Sequence, residues 1–206
     1  MSATGRRLML HACCGPCSLL PTALLREEGW DVTICYVNPN IAPVAEYEHR
    51  LDTLRKWARV VEMPVVEGPC DRAAWEREVA PLAAHRAARC EACYRLRLRA
   101  AADMAAQGGF DALATTLAVS PYQLLDACNR QLEREARRVG VLALPRDFRA
   151  WYPEATRESR ALGMYRQNFC GCRFSAAEAA LERSCARDGR RVEKDVSRAA
   201  RAAALA

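Results

Sequence analysis

His11-Ala12-Cys13-Cys14-Gly15-Pro16-Cys17-Ser18 packs three thiols into five positions, directly behind the apolar run Leu8-Met9-Leu10. Two further pairs lie far along the chain, Cys90-Glu-Ala-Cys93 and Cys170-Gly-Cys172, so seven of the 11 cysteines fall into three tight groups. Soft thiolates at such spacings suit iron–sulfur clusters, zinc and redox dithiols. Cys13, Cys14 and Cys17 sit at the entry to a helix, where unpaired amides and the positive dipole end favour thiolate over thiol. The isolated Cys35, Cys70, Cys128 and Cys185 read instead as small buried hydrophobes.

Spacing leaves the division of labour open. Cys90-x-x-Cys93 fits half of a zinc site, a redox dithiol or cluster ligands, although a thioredoxin-like motif should follow a strand and this one follows polar Ala84–Arg89. A Cys-x-Cys pair such as Cys170 and Cys172 can close a strained, readily reduced disulfide suited to electron relay, and it can equally supply metal ligands. Other chemistries are poorly served. His11, His49 and His85 stand alone in unrelated contexts, and Cys13–Ser18 has one glycine and no lysine, unlike a phosphate loop.

The chain of 206 residues, 51% hydrophobic and 27% charged, can bury a full core without disulfides. No apolar run is long enough for a membrane span and the start has no leader pattern, so the expected location is cytoplasmic, where thiols stay reduced. That compartment turns 11 cysteines into an argument for metal or redox chemistry. The net charge of +6, carried mostly by arginine, permits a polyanionic partner such as RNA. Charge alone favours a coding bias toward Arg and Ala, since no block of like charge stands out.

Short strands are expected at 8–12, 31–37, 64–66, 110–117 and 141–144. Between them lie helices from about Ser18, over 46–61, after an Asp71 N-cap, over 90–107 with a Gly108-Gly109 stop, over 123–139, and up to Gly163. Residues 165–175 read as a loop, and an Arg/Ala-rich helix follows with a break at Asp188-Gly189. The expected boundaries are one α/β metal-binding catalytic domain over 1–182 and a basic helical tail over 183–206. Alternating strands and helices imply a parallel sheet covered on both faces. In the order 3-2-1-4-5, winding reverses between strands one and four, so ligands bind at the carboxyl edge formed by 11–18 and 117–122.

Five linked segments resemble the QueH-type epoxyqueuosine reductases: Leu10–Ser18, Tyr36–Ile41 with Pro43, Glu46-Tyr47 and Arg50, Cys90-x-x-Cys93-Tyr94-x-x-Arg97-Leu98, Thr115–Tyr122, and Tyr165–Ser175. The resemblance implies a Rossmann-like, nucleotide-hydrolase (PP-loop-like) α/β fold of order 3-2-1-4-5 with a C-terminal helical extension. It implies the last step of queuosine biosynthesis, reduction of epoxyqueuosine at the tRNA wobble position, with an unidentified electron donor. It further implies a [4Fe–4S] cluster on Cys13, Cys14, Cys90 and Cys93, a redox-active pair at Cys170 and Cys172, and room for a second metal ion near Cys17. Tyr94, Tyr122, Tyr165 and Arg166 are candidate base contacts, since aromatic and guanidinium planes stack on an extruded base. The competing readings are a zinc-stabilised RNA-binding module without redox activity and a metal-free thiol–disulfide oxidoreductase.

Overall fold

The computed structural model describes residues 5–204. β1 (Arg7–His11) is buried on both faces from Leu8 onward, as its unbroken apolar run requires of a central parallel strand. It pairs with β2 (Asp31–Tyr36) on one side and β4 (Ala112–Thr115) on the other, setting His11 between Cys35 and Thr115. β3 (Val65–Glu67) and β5 (Leu142–Ala143) complete a five-stranded sheet, parallel throughout, in the order β3-β2-β1-β4-β5. The expected topology is observed. The fourth strand is shorter than the sequence pattern suggested, because a 3₁₀ turn takes over at Thr116–Val119, with the Thr115 hydroxyl accepting the Leu117 amide at 3.1 Å.

Helices cover both faces. α1 (Gly15–Glu27) and α2 (Val44–Val60) enclose one core with Leu8, Leu10, Ile34 and Leu54. α4 (Arg86–Gln107) and α5 (Leu125–Arg138) enclose the other with Met9, Leu98, Leu113 and Leu132. α3 (Arg72–Val79) starts at its expected cap, the Asp71 carboxylate accepting the Ala74 amide at 2.8 Å. α6 (Tyr152–Ala161) packs on α1.

Of the helices that begin earlier than their patterns suggested, two carry site residues. α1 starts at Gly15, with Pro16 in its first turn where no N–H is needed, so Cys17 is already helical. α4 starts at Arg86, which places Cys90 and Cys93 within the helix instead of at its mouth. No helix of the described residues is long and apolar enough to cross a membrane.

The chain divides into a larger unit ending at Arg166 and a smaller one starting at Gln167. The smaller unit is dominated by α7 (Arg173–Ala204), which runs through Asp188-Gly189 without the expected break. One glycine costs a helix about 1 kcal/mol relative to alanine, too little to interrupt a long run of good helix formers.

Gly15 brings the thiol loop against α2: a Cβ there would lie 3.3 Å from Thr53 Cγ2 and 3.4 Å from the Leu54 backbone nitrogen. Backbone cannot yield as a flexible side chain does. Gly15→Val is therefore expected to lower the unfolding free energy by about 1–3 kcal/mol, the usual cost of overpacking, in denaturant titrations.

Candidate metal centre

β1 ends at His11, and the next residues turn across the carboxyl edge of the sheet into α1. Asn38, in the loop after β2, donates its side-chain amide to the Ala12 carbonyl at 2.9 Å. The Cys13 amide donates to Thr116 Oγ1 at 3.3 Å, tying the loop to the end of β4. Ser18 Oγ donates to the Cys14 carbonyl at 2.9 Å. Pro21, inside α1, has no N–H to offer the Cys17 carbonyl one turn earlier.

Held this way, Cys13, Cys14 and Cys17 bring their sulfur atoms within 4.8 Å of one another. Among the described residues this is the one group of three or more potential ligands compact enough for a single ion. The Sγ atoms of Cys13 and Cys14 are 3.8 Å apart. That matches the edge of a tetrahedral thiolate site, about 3.8 Å for a metal–sulfur bond of about 2.3 Å. The three thiols share a proton-poor arrangement. Hydrogen bonds from Cys14 and Cys17 pull the Cys13 thiol well below its ordinary range, against burial and with help from Arg97 and Thr116. Cys17 is pushed well above that range, because its proton is held by Cys13 and Cys14. One ready thiolate with two partners is a donor set that suits a soft metal.

His11, read from the sequence as a lone histidine, is fully buried beneath this loop. Its Nε2 lies 3.1 Å from the Val37 carbonyl, which can only accept, so Nε2 carries the proton. Nδ1 then accepts from the Thr115 hydroxyl at 2.9 Å. The neutral ring thus pins the ends of β1, β2 and β4 together. Burial, reinforced by Arg97, lowers its pKa to about 3.

Cys90 and Cys93 lie one turn apart on α4, Cys93 buried and Cys90 half-buried. Cys90 and Cys13 pack against the same apolar cluster. Cys93 and Cys13 both act on buried Cys128, whose thiol is pushed up to about 12 mainly by burial. Cys35 is likewise buried and shifted up to about 12, as a structural cysteine should be. The same expectation fails for half-buried Cys70 and for Cys185, which is exposed on α7.

Cys170 and Cys172 belong to the second unit. Gly171, at a φ of +131°, allows the tight turn between them. Cys172 caps α7: its carbonyl accepts the Ala176 amide at 3.0 Å and its sulfur accepts the Ser175 amide at 3.4 Å.

Two candidate base contacts are occupied by structure. Tyr94 is buried and its hydroxyl joins Gln123 at 2.8 Å and the Leu124 amide at 3.1 Å. Arg166 is spent on the Thr156 carbonyl at 2.8 Å and the Ser159 hydroxyl. Tyr165 stacks on His49 at 3.9 Å and donates to Glu46 at 2.5 Å. Tyr122 alone of the four is largely exposed, at 72%. Two arginines of the resembling segments, Arg50 and Arg97, are fully buried, which pattern reading did not foresee. Arg50 Nε donates to Glu46 at 2.6 Å, and Arg97 donates to Asn38 Oδ1 at 2.5 Å.

A family model described as epoxyqueuosine reductase QueH matches residues 8–178. An epoxyqueuosine reductase QueH of Dehalococcoides mccartyi is 30% identical over 172 residues, covering 84% of this chain and 93% of the relative. The Thermotoga maritima protein of the same description is 30% identical over 178 residues, covering 83% and 91%. Among solved structures, a predicted tRNA methyltransferase subunit from Methanocaldococcus jannaschii superposes with a TM-score of 0.52 at 14% identity, covering 75% of this chain and 74% of that one. At that identity the likeness concerns the fold alone.

His11 sets a pH dependence. Its folded pKa lies below the unfolded value of 6.5, so the unfolded chain binds the extra proton first. Stability is complete above about 6.5 and is lost as pH falls toward about 3. Denaturant titrations of metal-free protein between pH 7 and 5 should show this acid loss, and His11→Gln should flatten it.

Proposed function

The chain belongs to the epoxyqueuosine reductase QueH family, and we propose that it reduces epoxyqueuosine in tRNA to queuosine at a metal centre built on the thiol loop. The observation that carries the reading is the compact sulfur group of Cys13, Cys14 and Cys17 at the carboxyl edge, where such sheets bind ligands. The reaction opens the epoxide to an alkene: two electrons and two protons enter, both carbon–oxygen bonds break and one water leaves. A further donor must supply the electrons. No side chain that stays unchanged can do so, which is why a redox centre is required.

The donor chemistry fits an iron–sulfur group. Cys13 and Cys14 from the loop, with Cys90 and Cys93 from α4, are the ligands we assign to a [4Fe–4S] cluster. When bound, that cluster supplies single electrons and an iron able to polarise an oxygen atom. Buried His11, Asn38 and Thr116 hold the loop rigid for it. Exposed Tyr122 offers a stacking face to an unpaired base. Cys170 and Cys172 act as a dithiol relay, cycling between two thiols and one disulfide as two electrons pass.

With Cys13 and Cys14 given to the cluster, Cys17, whose sulfur lies within 4.8 Å of both, is the residue we assign to a second, single ion.

Anaerobically purified protein should be brown, with iron and acid-labile sulfide in comparable amounts; a colourless zinc protein would overturn the assignment. Cys90→Ser and Cys93→Ser should bleach it, while Cys35→Ala and Cys128→Ala keep its iron. Cys17→Ser should lose one metal ion per chain at unchanged sulfide. Cys172→Ala should stay brown but stop after a single turnover, and a bleached Cys172→Ala would make that residue a ligand. Affinity for tRNA should fall steeply with added salt, because arginine contacts to phosphate release counterions.

A further inference from the structure

Arg50 and Arg97 are the two largest side chains buried almost completely, each 1% exposed. Burying a guanidinium is unfavourable by several kcal/mol unless opposite charge or good hydrogen bonds offset it. Both lie against the thiol loop, and they reach it from opposite faces of the sheet. Arg50 comes from α2, whose next turn would lie 3.3 Å (Thr53 Cγ2) from a Cβ on Gly15, and its charge interacts with Cys14. Arg97 comes from α4, and its Nη2 donates to Asn38, which in turn holds the carbonyl of Ala12, the residue before Cys13.

We propose that Arg50 and Arg97 form a cationic clamp that sets the reduction potential of the centre held by the thiol loop, an inference that rests on the metal-centre reading above. A thiolate-bound iron–sulfur group is anionic, and each electron it accepts adds negative charge. Fixed positive charge beside it in a low-dielectric interior therefore favours the reduced state and raises the potential. The charges of the site already act on one another: burial works to lower the Arg50 pKa, but Cys14 and Glu46 outweigh it and raise it.

Glu46 gives the clamp a counterweight. One carboxylate oxygen accepts from Arg50 at 2.6 Å and the other from Tyr165 at 2.5 Å. Removing the carboxylate charge exposes the centre to the full charge of Arg50. Removing an arginine does the reverse. A purely structural role predicts no such opposition of sign.

The test is the midpoint potential of the loaded protein, read by spectroscopic redox titration, for wild type, Arg50→Met, Arg97→Met, Arg97→Lys and Glu46→Gln. The methionine variants should be about tenfold harder to reduce, about 59 mV more negative for a one-electron couple. Arg97→Lys should stay near wild type, and Glu46→Gln should move the potential upward. Should a methionine variant fail to fold, the opposite-signed Glu46→Gln shift still decides. Loaded variants that all share the wild-type potential overturn the clamp. A wild-type protein without any cluster overturns instead the reading it rests on.

Discussion

Three sulfur atoms within 4.8 Å of one another, at the end of a central buried strand, are the constraint around which this molecule is arranged. Thiols so placed lose hydration, share protons unequally and favour binding something positive. The surroundings answer each demand. Thr116 and Asn38 tie the loop to the neighbouring strand ends, His11 stays neutral beneath it, and two guanidinium groups stand on either side. Replacing any of these by an apolar residue of similar size would leave a buried polar group facing nothing, a cost of about 1–3 kcal/mol each.

The parallel sheet supplies the placement. β1 lies in the middle of the order β3-β2-β1-β4-β5, so the loop after it opens at the reversal of winding, between the loops that follow β2 and β4. Those loops contribute Asn38 and Thr116. The helices then bring one arginine from each face. Tyr122, in the loop after β4, is exposed.

Much of this was legible in the sequence for identifiable reasons. Alternation and apolar runs marked the strands, right-handed crossovers left few topologies, and the family resemblance supplied the order. Three thiols in five positions marked the centre without any structure. What stayed hidden was of another kind. Helix starts at Gly15 and Arg86 moved because Pro16 and a polar turn are both tolerated in a first helical turn. His11 looked isolated because its partners, Val37 and Thr115, are joined to it only by the sheet. Arg50 and Arg97 stand in the segments that carry the family resemblance, but nothing in a chain rich in arginine marked them as buried. Tyr94 kept the composition of a base contact while serving as a buried strut.

The central claim is that the thiol loop holds a centre that removes the epoxide oxygen. Its most direct test is anaerobic incubation of metal-loaded protein with tRNA bearing epoxyqueuosine and a chemical reductant, followed by mass analysis of the released nucleosides. Loss of one oxygen, giving queuosine, is the predicted result, and it should depend on the bound metal. Loaded protein that binds the tRNA yet leaves the epoxide intact under strong reductant would contradict the account.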